Sequence, residues 1–308
     1  MSDLLFRPLR ADEFHLFHSY GPLPASGVGL RARPFEELGY RSGWVWVALR
    51  GDEVVARAGF WAPHGSDRPG FLDWFDPGHG DDRVEVGAAL LEAAHAALVP
   101  EGGVRPEYHL FLPANWQERP DALADATDRI DAAERVGWRR AVERLNLRWI
   151  PEYGLPPRST RLTFTPADDD ETLLGLLARV TEGSLDDWDR RTRATRGAME
   201  TARETVAVLA GMAGGRSRWR LAHDASGALV GAVLPTRNDS SATVGYVGVD
   251  PAHRGHGYAD DLVAEALHIF AAEGESQVND NTDVGNAPMA ASFARLGYRI
   301  TGHRMILM

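Results

Sequence analysis

The residues best suited to chemistry lie in a short glycine-rich stretch, residues 254–259, that reads Arg-Gly-His-Gly-Tyr-Ala. It follows a β-branched and aromatic segment, residues 242–249, which ends at Asp250 and Pro251 because proline cannot donate to a strand ladder. Glycines at 255 and 257 tolerate positive φ, so backbone amides can turn inward beside the unpaired N–H groups of a following helix. The pattern predicts a site for a phosphate-like anion, to which the Arg254 guanidinium can add a charged fork.

This prediction competes with a simpler one, a tight connection from a strand to a helix. The spacing Arg-Gly-x-Gly-x-Ala matches neither the Walker loop, which needs a lysine, nor the dinucleotide fingerprint G-x-G-x-x-G. The chain contains no lysine, and all 33 of its Lys and Arg residues are arginine. We therefore predict an anion site that is neither a Walker loop nor a dinucleotide-binding loop.

Groups that can move a proton are scattered, and each also has a structural explanation. Glu182, Asp186 and Asp187 lie between two predicted helices, where they can act as bases or can simply cap a helix and face solvent. Tyr246 lies on the strand before the glycine stretch. It can act as an acid, contact the substrate or simply pack against neighbouring strand residues. Further candidates for proton transfer or substrate contact are His223, His256 and Asp283.

Thiol and metal chemistry are disfavoured by the residue types. The chain has no cysteine, which excludes disulfides, thiolate ligands and an acyl-cysteine intermediate within it. Histidines and carboxylates show no HExxH-like spacing, so no metal site is predicted.

The composition is that of a globular chain with an acidic surface. The 308 residues are 44% hydrophobic and carry a formal net charge of −11. This charge disfavours nucleic acid as a partner and suits a cationic small molecule, although acidic surfaces also simply favour solubility. No stretch approaches the roughly 18 apolar residues of a membrane span, and residues 1–10 lack a signal-length apolar core. We therefore expect a cytoplasmic protein without membrane association.

The elements that position the glycine stretch belong to the second of two similar halves. A strand and a helix cap at residues 5–13 recur at 162–169, and Arg-Val-Gly-Trp-Arg at 135–139 recurs as Arg-Leu-Gly-Tyr-Arg at 295–299. Each half also contains a hairpin. The proline-rich residues 151–159 make a natural linker. The predicted domains are therefore residues 1–150 and 160–308, duplicates of one α/β unit.

Downstream of the glycine stretch, the second half has a regular alternation of elements. A helix is predicted from Tyr258 to about Glu273, with a C-cap glycine at 274. A strand follows at 276–279, and Asn286 opens a helix that ends at Gly297. Two final strands are predicted at 298–301 and 303–308.

The motif Val-Asp-Pro-x-x-Arg-Gly-x-Gly-Tyr-Ala at 249–259, with an Asn-opened helix ending in Leu-Gly-Tyr, resembles the GNAT (Gcn5-related N-acetyltransferase) superfamily. The resemblance covers roughly residues 160–308. It implies two tandem GNAT-like domains, each a mixed, mostly antiparallel sheet flanked by helices, the first one degenerate.

The resemblance implies an acetyltransferase that uses acetyl-CoA as co-substrate. In the superfamily, the glycine stretch holds the CoA pyrophosphate and the preceding strand pairs with the pantetheine arm and polarises the thioester carbonyl. The equivalent of Asn286 contacts the same arm. Carried onto matching positions, the implied CoA-binding residues are Val247, Gly248, Val249, Arg254, Gly255, His256, Gly257, Tyr258, Ala259, Asn286 and Phe293.

The chain departs from the superfamily where an acid and a base are expected. Many members have a tyrosine, the acid for the leaving thiolate, at the position of Phe293, and no glutamate precedes Tyr246 on its strand. Tyr246, Glu182 and Asp187 are the remaining catalytic candidates. The matching loop of the first half, residues 76–82, places aspartates where phosphate would bind, so we expect no CoA site there.

Three functions remain open. The leading one is direct acetyl transfer to the amine of a small molecule in a ternary complex. The second is transfer to a hydroxyl or hydrazine acceptor, which needs less help from a base. The third is an acetyl-CoA-binding regulatory or scaffold protein without turnover.

Overall fold

The computed structural model describes residues 4–19, 40–62, 65–238 and 240–308. The chain divides into two compact units. The first unit takes the chain up to Glu143 together with Gly302–Met308, and the second unit takes Arg144–Thr301. Each is described by itself below.

The helices and strands follow one another in the order expected of two α/β units. Those up to residue 149 are β1 (Leu4–Pro8), α1 (Phe14–Ser19), β2 (Val45–Arg50), β3 (Glu53–Trp61), β4 (Phe71–Asp76), α2 (Arg83–Leu98), β5 (Glu107–Pro113), α3 (Pro120–Arg135) and β6 (Arg140–Trp149). Those that follow are β7 (Thr163–Pro166), α4 (Asp170–Val180), α5 (Asp187–Arg196), α6 (Ala198–Ala210), β8 (Arg220–His223), β9 (Leu229–Val233), β10 (Thr236–Arg237), β11 (Ala242–Thr243), β12 (Val247–Val249), α7 (Tyr258–Ala272), β13 (Val278–Asp283), α8 (Ala287–Arg295) and β14 (Arg299–Leu307).

In the first unit, the sheet runs β1-β2-β3-β4-β5 and ends on residues 302–307 of β14. Its pairs are antiparallel except β4 with β5. Helices α2 and α3 bury an alanine- and leucine-rich face in a core that includes Trp138, which is fully buried. Burial of this apolar surface is the main source of stability for such a layer.

In the second unit, two small sheets carry the helices. One is the antiparallel order β7-β8-β9-β12. The other joins residues 144–149 of β6 to β13, then β13 to β11 in parallel and β11 to β10. Helix α7 buries Leu262, Val263 and Phe270 in a core shared with β13 residue Val278.

The strand predicted at 242–249 is broken in the structure. Its start, β11, pairs with β13, whereas its end, β12, pairs with β9 of the other sheet. The break is at Gly245, whose φ is +73°, a conformation that favours glycine. A Cβ at this position would lie 2.4 Å from the Leu234 carbonyl oxygen, so only glycine fits. The two strands diverge from this point and leave a gap between them.

The predicted mixed, mostly antiparallel α/β architecture is confirmed. The two predicted final strands are one strand, β14, and the strand predicted at 276–279 begins two residues later and extends to Asp283. The contact-based division differs from the predicted halves at two places, because residues 144–150 group with the second unit and residues 302–308 with the first.

Candidate active site

The glycine stretch forms a turn that presents backbone amides at the start of α7. Gly255 and Gly257 have φ of +84° and +75°, and Gly257 is the N-cap without a capping side chain. Among the residues that the structure describes, none accepts a hydrogen bond from the amides of residues 255–259. A helix start with several unpaired N–H groups attracts an anion. We refer to residues 254–259 as the cradle.

Arg161 braces the cradle. Its guanidinium donates to the carbonyls of His256 and Gly257 at 2.8 and 3.5 Å and lies over the Tyr258 ring, 5.1 Å from its centroid. It also pairs with Asp261. These bonds hold the carbonyls of the turn in place. The amides of the turn have no acceptor among the described residues and can bind a ligand.

Arg254 makes different contacts from the predicted phosphate fork. Its three guanidinium nitrogens donate to the carbonyls of Val180, Glu182 and Val249, at 2.7, 2.7 and 3.3 Å. The first two carbonyls lie at and just after the end of α4, where helix carbonyls lack partners. The side chain therefore ties the end of α4 to the cradle.

A cavity of about 600 Å³ in the second unit opens between the cradle, β12 and the end of α4. Of the eleven CoA-binding residues predicted from the sequence, all except His256 line it. His256 is exposed and stacks on Tyr258 with ring centroids 5.6 Å apart. The strand and helix elements thus bring the predicted residues together around one space.

Two of the three predicted catalytic candidates lie off the cavity wall. Glu182 is exposed, and its carbonyl oxygen is the group that accepts from Arg254. The Asp187 carboxylate pairs with Arg190 and Arg191, at 3.4 and 2.6 Å, on its own helix α5. Tyr246, by contrast, lines the cavity.

The two predicted residues on α8 have defined structural partners. Asn286 caps the helix by accepting from the Met289 amide at 3.3 Å. Phe293 is 4% exposed and packs edge-on against Tyr298, with ring centroids 4.7 Å apart. Phe293 has no hydroxyl, so it cannot supply the proton that a tyrosine would.

Asp280 on β13 holds the point at which the two strands diverge. Its carboxylate accepts from the Thr243 hydroxyl at 2.9 Å, the Val244 amide at 2.8 Å and the Tyr298 hydroxyl at 2.8 Å. Burial raises the pKa of Asp280 to about 6, against the lowering effect of these donors. The bonds fix β11 to β13 at the edge of the gap.

The lining of the cavity is also acidic, because it includes Asp186, Asp189 and Asp280. Asp186 pairs with Arg144 at 3.2 Å, and Arg144 also pairs at 3.0 Å with Asp283, which is outside the lining. Asp189, in the first turn of α5, accepts instead from the Ser184 hydroxyl at 2.9 Å and the Tyr246 hydroxyl at 3.0 Å. Burial, and then the negative charge of Asp186, raise the pKa of Asp189 to about 6.

Asp189 was missed by the sequence reasoning, which considered its neighbours at 182, 186 and 187. The local signal was present, because Asp186 caps α5 by accepting from the Asp189 amide at 3.1 Å. An acidic residue in the first turn of a helix is ordinarily explained by the helix dipole. Only the fold shows that this one is buried and lies beside Tyr246.

Neither a cluster of metal ligands nor a membrane-spanning helix is found in the described part of the chain. In residues 4–19, 40–62, 65–238 and 240–308, no group of three or more His, Asp or Glu side chains is arranged to hold a metal ion. Over the same residues, no helix is long and apolar enough to cross a membrane.

The cradle, the diverging strands and the flanking helices define an acyl-CoA-dependent acetyltransferase fold, and the comparisons agree. Residues 178–298 match the family model described as the acetyltransferase (GNAT) family. The mycothiol acetyltransferase of Clavibacter sepedonicus is 30% identical over 236 residues, which is 73% of this chain and 67% of that protein. The chain belongs to the GNAT family of acetyltransferases.

Two solved structures show the same fold over nearly the whole chain. A GCN5-related N-acetyltransferase from Sphaerobacter thermophilus has a TM-score of 0.58 at 17% identity, with 99% of this chain and 94% of that chain covered. A tandem GNAT protein from the clavulanic acid biosynthesis pathway has a TM-score of 0.51 at 20% identity, covering 99% and 98%. The predicted family and tandem GNAT-like fold are confirmed.

Proposed function

We propose that this protein transfers the acetyl group of acetyl-CoA directly to the primary amine of a small molecule. The observation that carries the proposal is that one cavity is lined both by the cradle and by Asp189. Amides that attract phosphate and a carboxylate that attracts an ammonium group are what the two substrates of this reaction require.

The CoA half of the proposal rests on the cradle and on β12. The unpaired amides of residues 255–259, with the α7 dipole behind them, suit a pyrophosphate. Among the described strands β12 pairs only with β9, so its other edge is open to the amides of a pantetheine arm. We assign CoA binding to the predicted residues on the cavity wall, with the Arg254 side chain acting through its hold on α4.

The proposal that the acceptor is an amine rests on the negative charge of the protein. The acidic lining of the cavity favours a cation, and the net charge of −11 adds a long-range attraction for one. The curated relative is named for mycothiol, a small molecule, which supports a small acceptor. A polymeric acceptor such as nucleic acid would be repelled by the same charge.

The residue types of the chain support direct transfer. Without cysteine there is no thiol to carry the acetyl group, which favours attack of the amine on the thioester in a ternary complex over a route through an acyl-cysteine. Bound acetyl-CoA supplies an activated acyl carbon and a thiolate leaving group. The protein holds both substrates, polarises the carbonyl through backbone N–H and removes a proton from the amine. A cytoplasmic location is part of this proposal.

The first unit is proposed to bind no CoA. In its loop at 76–82, the Asp76 carboxylate already accepts from the Gly78 amide at 3.1 Å and pairs with Arg57 at 3.3 Å. Asp82, before α2, pairs with Arg50 at 2.6 Å. Carboxylates therefore take the place that phosphate would need.

The second candidate function, acetyl-CoA binding without turnover, is favoured by one observation. Phe293 lies at the position where many members of the superfamily have the tyrosine that protonates the leaving thiolate. Loss of such an acid lowers the rate by about 10²–10⁴-fold. A hydroxyl or hydrazine acceptor is favoured by the absence of a glutamate before Tyr246. One assay separates all three functions.

The assay measures CoA release from acetyl-CoA with a thiol reagent, to which a cysteine-free chain adds no background. The acceptors are glucosamine, spermidine, benzylamine and ethylamine, with benzyl alcohol and benzylhydrazine as matched alternatives. Amine-dependent release with an N-acetylated product by mass spectrometry supports the proposal. Release with only the alcohol or hydrazine, or saturable acetyl-CoA binding without release, overturns it.

A further inference from the structure

The carboxylates in and next to the acidic lining of the cavity differ in the cations and hydrogen-bond donors that they contact. Asp186 and Asp283 share Arg144. Asp187 pairs with arginines of α5, and Asp280 accepts from three donors. Asp189 forms no ion pair with any described residue, and its two donors, Ser184 and Tyr246, are neutral.

One buried oxygen of Asp189 has neither a hydrogen bond nor an ion pair with a described residue, whereas the buried oxygens of Asp187 and Asp283 that lack a hydrogen bond lie in ion pairs. Asp189 is 2% exposed, and both of its side-chain donors bond to Oδ2. Its Oδ1 atom is buried and has no hydrogen-bond partner among the described residues. A buried acceptor without a donor is costly unless a ligand supplies one. Because Asp189 lines the cavity, that ligand can be a substrate.

We propose that Asp189 is the catalytic base for the acceptor: Oδ1 binds the ammonium group of the amine and takes one of its protons. This inference rests on the proposed function. It makes the proposed function more specific, because the acceptor must arrive as a cation and its reacting nitrogen must lie beside α5. Tyr246 is a positioning residue, because it acts through its bond to Oδ2.

The step balances without any further reactant. One N–H proton of the ammonium group passes to the Asp189 carboxylate, and the nitrogen lone pair forms the new N–C bond with the acetyl carbon. The C–S bond breaks and its electron pair leaves on the CoA sulfur, which takes the second N–H proton. Asp189 then releases its proton to solvent.

The environment of Asp189 fits this role. Burial and the charges of Asp186 and Asp283 raise its pKa, whereas the Ser184 and Tyr246 donors lower it, with a result of about 6. A carboxylate with this pKa is ionised at neutral pH and is a stronger base than an exposed aspartate. Arg144 pairs with both Asp186 and Asp283, so it offsets their charges.

The test compares wild type with Asp189→Asn, using two amines of nearly the same size, ethylamine and 2,2,2-trifluoroethylamine. Ethylamine is protonated at pH 7, whereas the trifluoro compound is largely neutral. If Asp189 removes the ammonium proton, the substitution lowers kcat/KM for ethylamine by about 10²–10⁴-fold. The loss is at least tenfold smaller for trifluoroethylamine, because that amine needs no base to attack. Comparing enzymes within each amine cancels the difference in intrinsic nucleophilicity.

Three controls keep the test decisive. Asp168→Asn changes an exposed aspartate of the same unit and should behave as wild type. Acetyl-CoA affinity measured by calorimetry should be the same in Asp189→Asn, which shows that the variant is folded. Tyr246→Phe, as a second variant, should retain the binding of acetyl-CoA and move the acid limb of the pH profile upward.

Failure of the Asp189 role and failure of the proposed acetyltransferase function give different results. Equal losses for both amines, or an unchanged kcat/KM in Asp189→Asn, overturn the role of Asp189 and leave amine acetylation standing. No amine-dependent CoA release from wild type with these or the panel amines overturns the proposed function, and this inference with it.

Discussion

The Tyr246 hydroxyl donates a hydrogen bond of 3.0 Å to Oδ2 of Asp189, a residue 57 positions earlier in the chain. Burial raises the pKa of both groups, that of Tyr246 well above its ordinary value and that of Asp189 to about 6. At neutral pH the tyrosine is therefore the proton donor of the pair and the carboxylate is ionised. The bond leaves Oδ1 of Asp189 as the acceptor that faces no protein donor among the described residues.

The pH dependence of the reaction should report this pair. Because a base must be ionised, kcat/KM for ethylamine should fall tenfold per pH unit below about pH 6, the pKa of Asp189. In Tyr246→Phe, one donor to the carboxylate is lost, so the pKa rises and the fall begins at higher pH. Steady-state rates between pH 5 and 8 measure both. An acid limb that stays in place in Tyr246→Phe would contradict the assignment.

Stability should move in the opposite direction to activity. The folded pKa of Asp189, about 6, lies above its ordinary value near 3.8, so ionisation destabilises the fold. That cost is fully present above about pH 6 and disappears as the pH falls toward 4. Asp189→Asn should therefore be about 3 kcal/mol more stable than wild type at pH 7.

Urea unfolding of both proteins at pH 7 and pH 4.5 measures this difference. The gap should shrink at the lower pH, where Asp189 is protonated in the native state. The groups around it, Asp186, Asp283, Arg144 and Tyr246, are the same in both proteins. A variant that is less stable than wild type at pH 7 would show that the carboxylate is a structural group.

The cradle can be tested with two glycines at opposite ends of α7. Gly257 and Gly274 have nearly equal φ, +75° and +78°, so alanine at either position costs about 1–2 kcal/mol in backbone strain. Only Gly257→Ala should also weaken acetyl-CoA binding, by roughly tenfold, because it displaces amides aimed at phosphate. Calorimetry compares the two, and an equal effect on affinity would mean that the cradle does not hold CoA.

The role of Arg254 can be separated from that of a phosphate ligand. Arg254→Gln removes donors to the carbonyls of Val180 and Glu182, so the end of α4 should loosen and acetyl-CoA affinity should fall roughly tenfold. The salt dependence of binding should not change, since no charge on the phosphate is lost. Arg203→Gln, on the exposed face of α6, is the matched control. A reduced salt dependence in Arg254→Gln would restore the predicted phosphate fork.

Structural features that depend on neighbouring residues could be predicted from the sequence, whereas features that depend on residues far away in the chain could not. The cradle follows from two glycines and the helix start after them, all within six residues, and the structure gives both glycines positive φ. The break at Gly245 was not predicted, because it depends on the Leu234 carbonyl that blocks any side chain there. Arg254 was assigned to phosphate because its carbonyl partners at the end of α4 are more than 70 residues away. Asp189 was missed because its burial arises from the fold.

The most direct test is a crystal structure with CoA and ethylamine bound. We expect the pyrophosphate on the amides of residues 255–259, the pantetheine arm along the open edge of β12 and the amine nitrogen within hydrogen-bond distance of Asp189 Oδ1. Pyrophosphate bound at the loop of residues 76–82, or an amine held away from Asp189, would contradict this expectation.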